Sequence, residues 1–226
     1  MDHIAPRHPR DFLARRHTRQ VLVEAGRSGT DAGPILTALH GLAPNRKNRE
    51  RAVRRLSRLP GVVRAALTAD GIAVTLREAV TVTLTKDGVV ARTEERIVWT
   101  KVRAFAGRGS IGFSLRQVQL TAHAIQRMIE RSACVLDDVL GLLDAAMLRV
   151  LGRLDAGAPI RDRDDDYLPA EGGAWAGGID ATACDPAWGP AFQGRAMPIE
   201  VFSIHTFLGE DMLRPTVWLA VSRAAG

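Results

Sequence analysis

Apolar side chains recur with a helical period over residues 9–24, 33–40 and 45–59, and glycine or proline interrupts the pattern at 26–29, 41–44 and 60–61, which predicts three short N-terminal helices. In the third, Val53, Leu56 and Leu59 can dock while Arg51, Arg54, Arg55 and Arg58 stay outside. From residue 62 to 105 the period falls to two, with β-branched runs at 72–76, 79–85, 89–92 and 96–105. Asp87-Gly88 lies between two of these runs and predicts a type I′ hairpin, so the region is expected to be an antiparallel meander. A strand over 113–120 follows, then Thr121 as the N-cap of a helix through residue 131, and a second helix over 136–154 with Asp137 and Asp138 in its first turn.

Two late runs, 199–208 and 216–222, predict a C-terminal hairpin. Alternation along the first puts Ile199, Val201, Ser203 and His205 on one face and Phe202, Ile204 and Thr206 on the other, so His205 and Thr206 share a face only if a bulge intervenes. The expected fold is α+β: N-terminal short helices, an antiparallel β meander, then two helices packed on an antiparallel sheet with a C-terminal hairpin. It divides into a region 1–108 and a domain 109–226 that carries an acidic, glycine-rich insertion at 155–198. Around Trp175 and Trp188 that insertion has no periodicity, which predicts a functional flap. Gly107-Arg108-Gly109-Ser110-Ile111-Gly112 has the spelling of a dinucleotide fingerprint, but a strand follows where phosphate binding needs a helix, so the stretch is expected to be a linker.

Composition adds charge to this outline. The 226 residues carry 31 basic and 25 acidic side chains, a net +6, and Arg far outnumbers Lys. Basic residues outnumber acidic ones most strongly in residues 1–60. That balance suits a polyanionic partner, although a GC-rich genome also favours Arg over Lys. Cys134 and Cys184 have no second cysteine or histidine at metal-ligand spacing, so neither a zinc site nor a disulfide scaffold is expected. No run has signal-peptide or membrane-spanning length, and a cytoplasmic protein without membrane contact is the expectation.

The candidate chemistry lies in the helix after Thr121. His123, Arg127 and Arg131 at i, i+4 and i+8 fall within about 80° of the helical wheel, apart from the apolar Ile125, Met128 and Ile129, with Glu130 placed elsewhere. Metal-free RNA cleavage by 2′-hydroxyl attack needs a base, an acid and cations against a phosphorane-like transition state. An imidazole and two guanidiniums supply those groups. Like charge at Arg127 lowers the proton affinity of His123, as a base requires. His205 and Thr206 on the late strand would join them. The plainer readings are a solvated helix face for the stripe, a backbone-bonded imidazole for His205 and a simple strand residue for Thr206. The catalytic reading needs the stripe to lie beside a sheet, open to a polyanion and not tied up in ion pairs. Asp162, Asp164, Asp165 and Asp166 lack the glycine and distal glutamate of a calcium loop, so a solvated or Arg-paired acidic loop is expected there, with no metal and no cofactor.

Leu120-Thr-Ala-His-Ala-Ile-Gln-Arg-Met-Ile-Glu-Arg131, followed by a helix opening on Asp137-Asp138-Val139, resembles the S-x-H-A-x-x-R-x-x-E-R pattern of RelE-like toxin domains in the barnase, EndoU, colicin and RelE superfamily of RNases. The resemblance covers roughly residues 112–222 and carries His123, Arg127, Glu130 and Arg131, with Thr206 as a looser match. It implies helices on an antiparallel sheet, a bacterial ribonuclease toxin or effector, RNA as substrate and a cognate antitoxin or immunity protein as partner. The stretch 155–198 is longer than such domains need. Two other functions remain open. One is a non-catalytic nucleic-acid-binding protein in which the helices at 34–40 and 45–59 form a helix-turn-helix-like pair presenting Arg51, Arg54, Arg55 and Arg58 to phosphates. The other is an interaction module that uses the acidic flap and its tryptophans.

Overall fold

The computed structural model describes residues 9–29, 32–41, 45–86, 89–106, 111–132, 136–183, 185–192 and 198–225. Helices α1 (Pro9–Arg27), α2 (Ala32–His40) and α3 (Arg46–Leu56) come first, then strands β1 (Val62–Leu67), β2 (Gly71–Lys86), β3 (Val89–Ala106) and β4 (Ile111–Thr121). Helices α4 (Ala122–Arg131) and α5 (Val139–Asp155) lead to strands β5 (Ile160–Asp162), β6 (Asp165–Ala170), β7 (Gly173–Ala183) and β8 (Pro198–Gly209), and α6 (Pro215–Ala225) ends the chain. The fold is α+β, as its sequence predicts, with the N-terminal helices and the meander where expected. The turn at Asp87-Gly88, the glycines at 107 and 109 and both cysteines lie outside the described residues.

All eight strands form one sheet in the order β1-β2-β3-β4-β8-β7-β6-β5. It consists of two antiparallel meanders, β1 to β4 and β5 to β8, joined where β4 pairs in parallel with β8 over Gln117↔Val201 to Leu120↔Ile204. The sheet is therefore mixed, not purely antiparallel. The expected boundary at 108/109 falls between β3 and β4, which pair from Arg96↔Thr121 to Ala106↔Ile111.

Side-chain alternation sends the strand residues into cores on both faces. On one face Ile97, Trp99, Val118, Leu120, Trp175, Phe202, Ile204 and Phe207 pack with α1, α4 and α5. On the other, Ile72, Val74, Leu76, Val102 and Ala104 pack with α2, α3 and Trp188, and farther along Tyr167, Ala174 and Ala176 pack with Val217 and Val221 of α6.

Two expectations fail here. The second strand of the C-terminal hairpin is instead α6. Pro215 suits the first turn of a helix, and Leu213, Val217 and Val221 are buried at a spacing of four, a period that outweighs the β-branched residues among them. The stretch 155–198 is not a flap but supplies β5, β6 and β7. Ala174, Ala176, Gly177 and Gly178 sit in β7, and Trp175 and Trp188 are 1% and 2% exposed, so they cannot be an interaction surface.

Candidate functional site

Helix α4 starts where β4 stops. The Thr121 hydroxyl accepts the Ala124 N–H at 3.1 Å, the N-cap its sequence predicts, and lies 3.4 Å from the His205 carbonyl of β8. Ala124, Ile125, Met128 and Ile129 turn into the core, which leaves His123, Arg127 and Arg131 on the opposite side. With β4 finished, β8 has no strand neighbour on this side beyond Ile204 among the described residues. Arg131 Nη1 fills the vacancy by donating to the Phe207 carbonyl at 2.6 Å. The stripe thus runs beside the segment of β8 that carries His205 and Thr206, tied to it at both ends. For Arg131 this assigns a positioning role ahead of a catalytic one.

A bulge does intervene in β8. Ala176 pairs with Thr206 but Gly177 pairs with Ile204, so His205 is the extra residue. Thr206 then shares the face of Ala176, opposite the face that α4 covers, so it is not brought to the stripe, and Phe207 joins Phe202 and Ile204 in the core, contrary to simple alternation. Gly177 faces the distorted stretch because a Cβ there would collide with the Ser203 carbonyl. Gly177→Ala is expected to cost about 1–3 kcal/mol in a urea melt through that overpacking; an unchanged midpoint would mean that the bulge tolerates a side chain.

Within the stripe, Arg127 Nε donates to His123 Nε2 over a long 3.4 Å, and Arg127 Nη1 donates to Glu130 Oε2 at 2.7 Å. The placement of Glu130 away from the stripe is corrected: seven residues from His123 is nearly two full turns, which returns it to the same side. Its other oxygen accepts Gln126 Nε2 at 2.6 Å, and Gln126 also reaches Asp11 Oδ1 of α1 at 2.9 Å. His123 is exposed and Arg127 is 37% exposed, on an open surface.

Partial burial, then the charges of Arg127 and Arg131, lower the His123 pKa from 6.5, against smaller opposing effects of Glu130 and Glu94. The shift favours the uncharged ring, and a bond accepted from Arg127 at Nε2 leaves Nδ1 to carry the ring proton. An NMR titration of the imidazole should give a midpoint below 6.5 that moves up in Arg127→Gln, because a like charge is removed while Glu130 remains. A midpoint that stays put would remove Arg127 from the electrostatics of the ring. Because its folded-state pKa is lowered, His123 adds stability above pH 6.5 that is lost as pH falls through the lowered value.

Glu94 was not singled out by its sequence. It lies on β3 beyond the last residue paired to β4, held by Arg96 at 2.9 Å, and Arg96 also donates to Gln119 at 2.9 Å. No local signal marks it, since it approaches His123 only through the register that sets Arg96 opposite Thr121.

The other candidate residues lie elsewhere. Arg51, Arg54, Arg55 and Arg58 are exposed along α3 and just past its end, and among the described residues none of their side chains has an ion-pair or hydrogen-bond partner. Helix α3 packs on the sheet face opposite α4, so this basic row and the His123 stripe do not form one site. In the acidic loop, Asp162 meets Arg214 at 2.9 Å and Asp166 meets Arg161 at 3.0 Å, and among the described residues no group of His, Cys, Asp or Glu gathers to hold a metal. Among the described residues no helix is long and apolar enough to cross a membrane. No protein-family model matches the chain, and comparison with curated proteins and with solved structures gives no match.

Proposed function

We propose that the protein is a metal-independent endoribonuclease of toxin or effector type, acting on RNA at the edge between α4 and β8. The carrying observation is the placement of His123, its pKa lowered by partial burial and like charge and its ring in contact with Arg127, beside the bulge that carries His205; Thr206 faces the other side of the sheet and takes no part. A phosphodiester draws Arg127 toward its oxygens and frees His123 Nε2, which takes the proton of the 2′-hydroxyl. The 2′-oxygen bonds to phosphorus, the bond to the 5′-oxygen breaks, and His205 as acid protonates the leaving oxygen, giving a 2′,3′-cyclic phosphate and a 5′-hydroxyl. Arg127 and the remaining N–H groups of Arg131 face the charge that builds on phosphorus.

The stripe is not free of ion pairs, contrary to what the catalytic reading needs, so Arg127 has to part from Glu130 for this to happen. Glu130 is only 13% exposed, so parting from Arg127 leaves its carboxylate with Gln126 as partner, a cost that the charge-assisted bond from Arg127 to phosphate has to exceed. The resemblance of residues 120–131 to RelE-like toxins supports the same reading, and with it a cytoplasmic RNA target and a cognate antitoxin or immunity protein. Incubation of RNA with the purified chain in EDTA should yield cyclic-phosphate ends; intact RNA would overturn the reading.

The unpartnered row on α3 favours a second reading, nucleic-acid binding without cleavage. Changing Arg51, Arg54, Arg55 and Arg58 to Gln should lower the slope of log affinity against log salt by about 3 for a single strand. An unchanged slope would exclude α3 as the grip.

A further inference from the structure

Helix α1 packs on the sheet face that α4 covers, whereas α3 lies on the other. Ala14, Thr18, Val21, Leu22 and Ala25 are its inward side, buried at helical spacing. Its rim is knit to the rim of α4. Asp11 Oδ1 accepts Gln126 Nε2 at 2.9 Å, the same Gln126 amide reaches Glu130, and Glu130 holds Arg127. Arg10 Nη2 adds a bond of 2.9 Å to the Ser132 carbonyl. Helices in such contact lie about 8–10 Å apart, so the outer side of α1 continues the surface on which His123 and Arg127 stand.

Phe12, Arg15, Arg16 and Arg19 occupy that outer side at i, i+3, i+4 and i+7, and all four are exposed. Phe12 is 70% exposed, more than any other large apolar side chain among the described residues. Arg15 donates to Asp11 at 3.1 Å, while the Arg16 and Arg19 side chains have no ion-pair or hydrogen-bond partner among the described residues. From residue 9 to residue 23 Asp11 is the only carboxylate, against arginines at 10, 15, 16 and 19. A ring left in water forgoes the stabilisation of burial, and guanidiniums on adjacent turns repel one another. Unpaired nucleotides answer both, since their bases offer free π-faces and their phosphates the opposite charge. A duplex answers only the second, because pairing and stacking close those faces to a side chain.

We propose that the outer side of α1 binds the single-stranded RNA flanking the cleavage edge. Phe12 stacks under one base, and Arg15, Arg16 and Arg19 meet the phosphates on either side of it. This rests on RNA as the ligand of the α4 edge and adds to it the strand state of the substrate and the subsite that selects it.

Fluorescence polarisation with the whole protein tests this, using a labelled 2′-O-methyl RNA of about 12 nucleotides, single-stranded or annealed to its complement; the methyl group blocks 2′-hydroxyl attack. The single strand should bind about tenfold tighter than the duplex. Phe12→Ala should weaken the single strand by about tenfold, the worth of one stacked base, and leave the duplex unchanged, while Phe12→Trp should restore the single strand. Changing Arg15, Arg16 and Arg19 to Gln should lower the slope of log affinity against log salt by about 2 for the single strand. Melting temperatures should hold, since all four positions are exposed. A dinucleotide of unmodified RNA, too short to span both helices, should be cut equally by the wild type and Phe12→Ala. Equal binding of single strand and duplex, full affinity in Phe12→Ala, or a preference for phosphatidylglycerol vesicles over the single strand in competition would each overturn the proposal. An intact dinucleotide together with Phe12-dependent binding would instead remove the catalytic reading and support this one.

Discussion

Asp144→Ala lowers the unfolding free energy by roughly 3–5 kcal/mol, the cost of leaving a buried charge without its partner. Asp144 on α5 pairs with Arg77 of β2 and accepts the Trp99 indole N–H of β3 at 2.8 Å, while Arg77 Nη2 donates to Ser28 Oγ, just past α1, at 2.7 Å. The Arg77 and Asp144 side chains are only 10% and 19% exposed. Removing the carboxylate strands the guanidinium and the indole N–H together, at the point where α1, α5 and the sheet meet. Replacing both partners, Arg77→Met with Asp144→Leu, should cost far less, because no charge is then left behind. Urea melts of the three variants check this; a loss below about 1 kcal/mol in the single variant would mean that water reaches Arg77 and compensates it.

His123→Ala is expected to lower RNA cleavage by roughly 10²- to 10⁴-fold, the range for one positioned base. The melting temperature should hardly change, since the imidazole is exposed and the apolar side of α4 is untouched. Arg127→Ala should also abolish cleavage by removing both the group that holds Nε2 and a cation facing the phosphate. Arg131→Ala differs from both, because it leaves the Phe207 carbonyl without its donor and should lower stability and activity together. Full activity in His123→Ala and Arg127→Ala would remove the site, and cleavage unaffected by changes on α3 would separate catalysis from binding by the basic row.

Local signals carry much of this fold. The apolar period of α1 to α3, the Thr121 cap and the i, i+4 stripe on α4 are written into contiguous residues, and neighbouring backbone decides them. What fails depends on distant partners. Thr216 to Ser222 alternates well enough for a strand, but Tyr167, Ala174 and Ala176 offer a face that only Val217 and Val221 of a helix can cover. Residues 155–198 lack periodicity because small residues suit strands covered closely from both sides, so their burial leaves no alternating pattern. The bulge at His205 answers to Gly177 on another strand, and Glu94 reaches the site through register alone. The stripe was therefore legible while its neighbours were not.

The junction of β4 with β8 has a kinetic consequence. Each meander pairs strands that follow one another along the chain, so each can assemble as it emerges during synthesis, whereas Leu120 must wait for Ile204. Until then β4 presents a bare edge, and so does β8 when it arrives. A ribosome stalled after α5 would release a half-protein with a row of unanswered amides, a template for aggregation. The edge between α4 and β8 also does not exist before that last docking step, so whatever that edge does begins only once the last strand is in place.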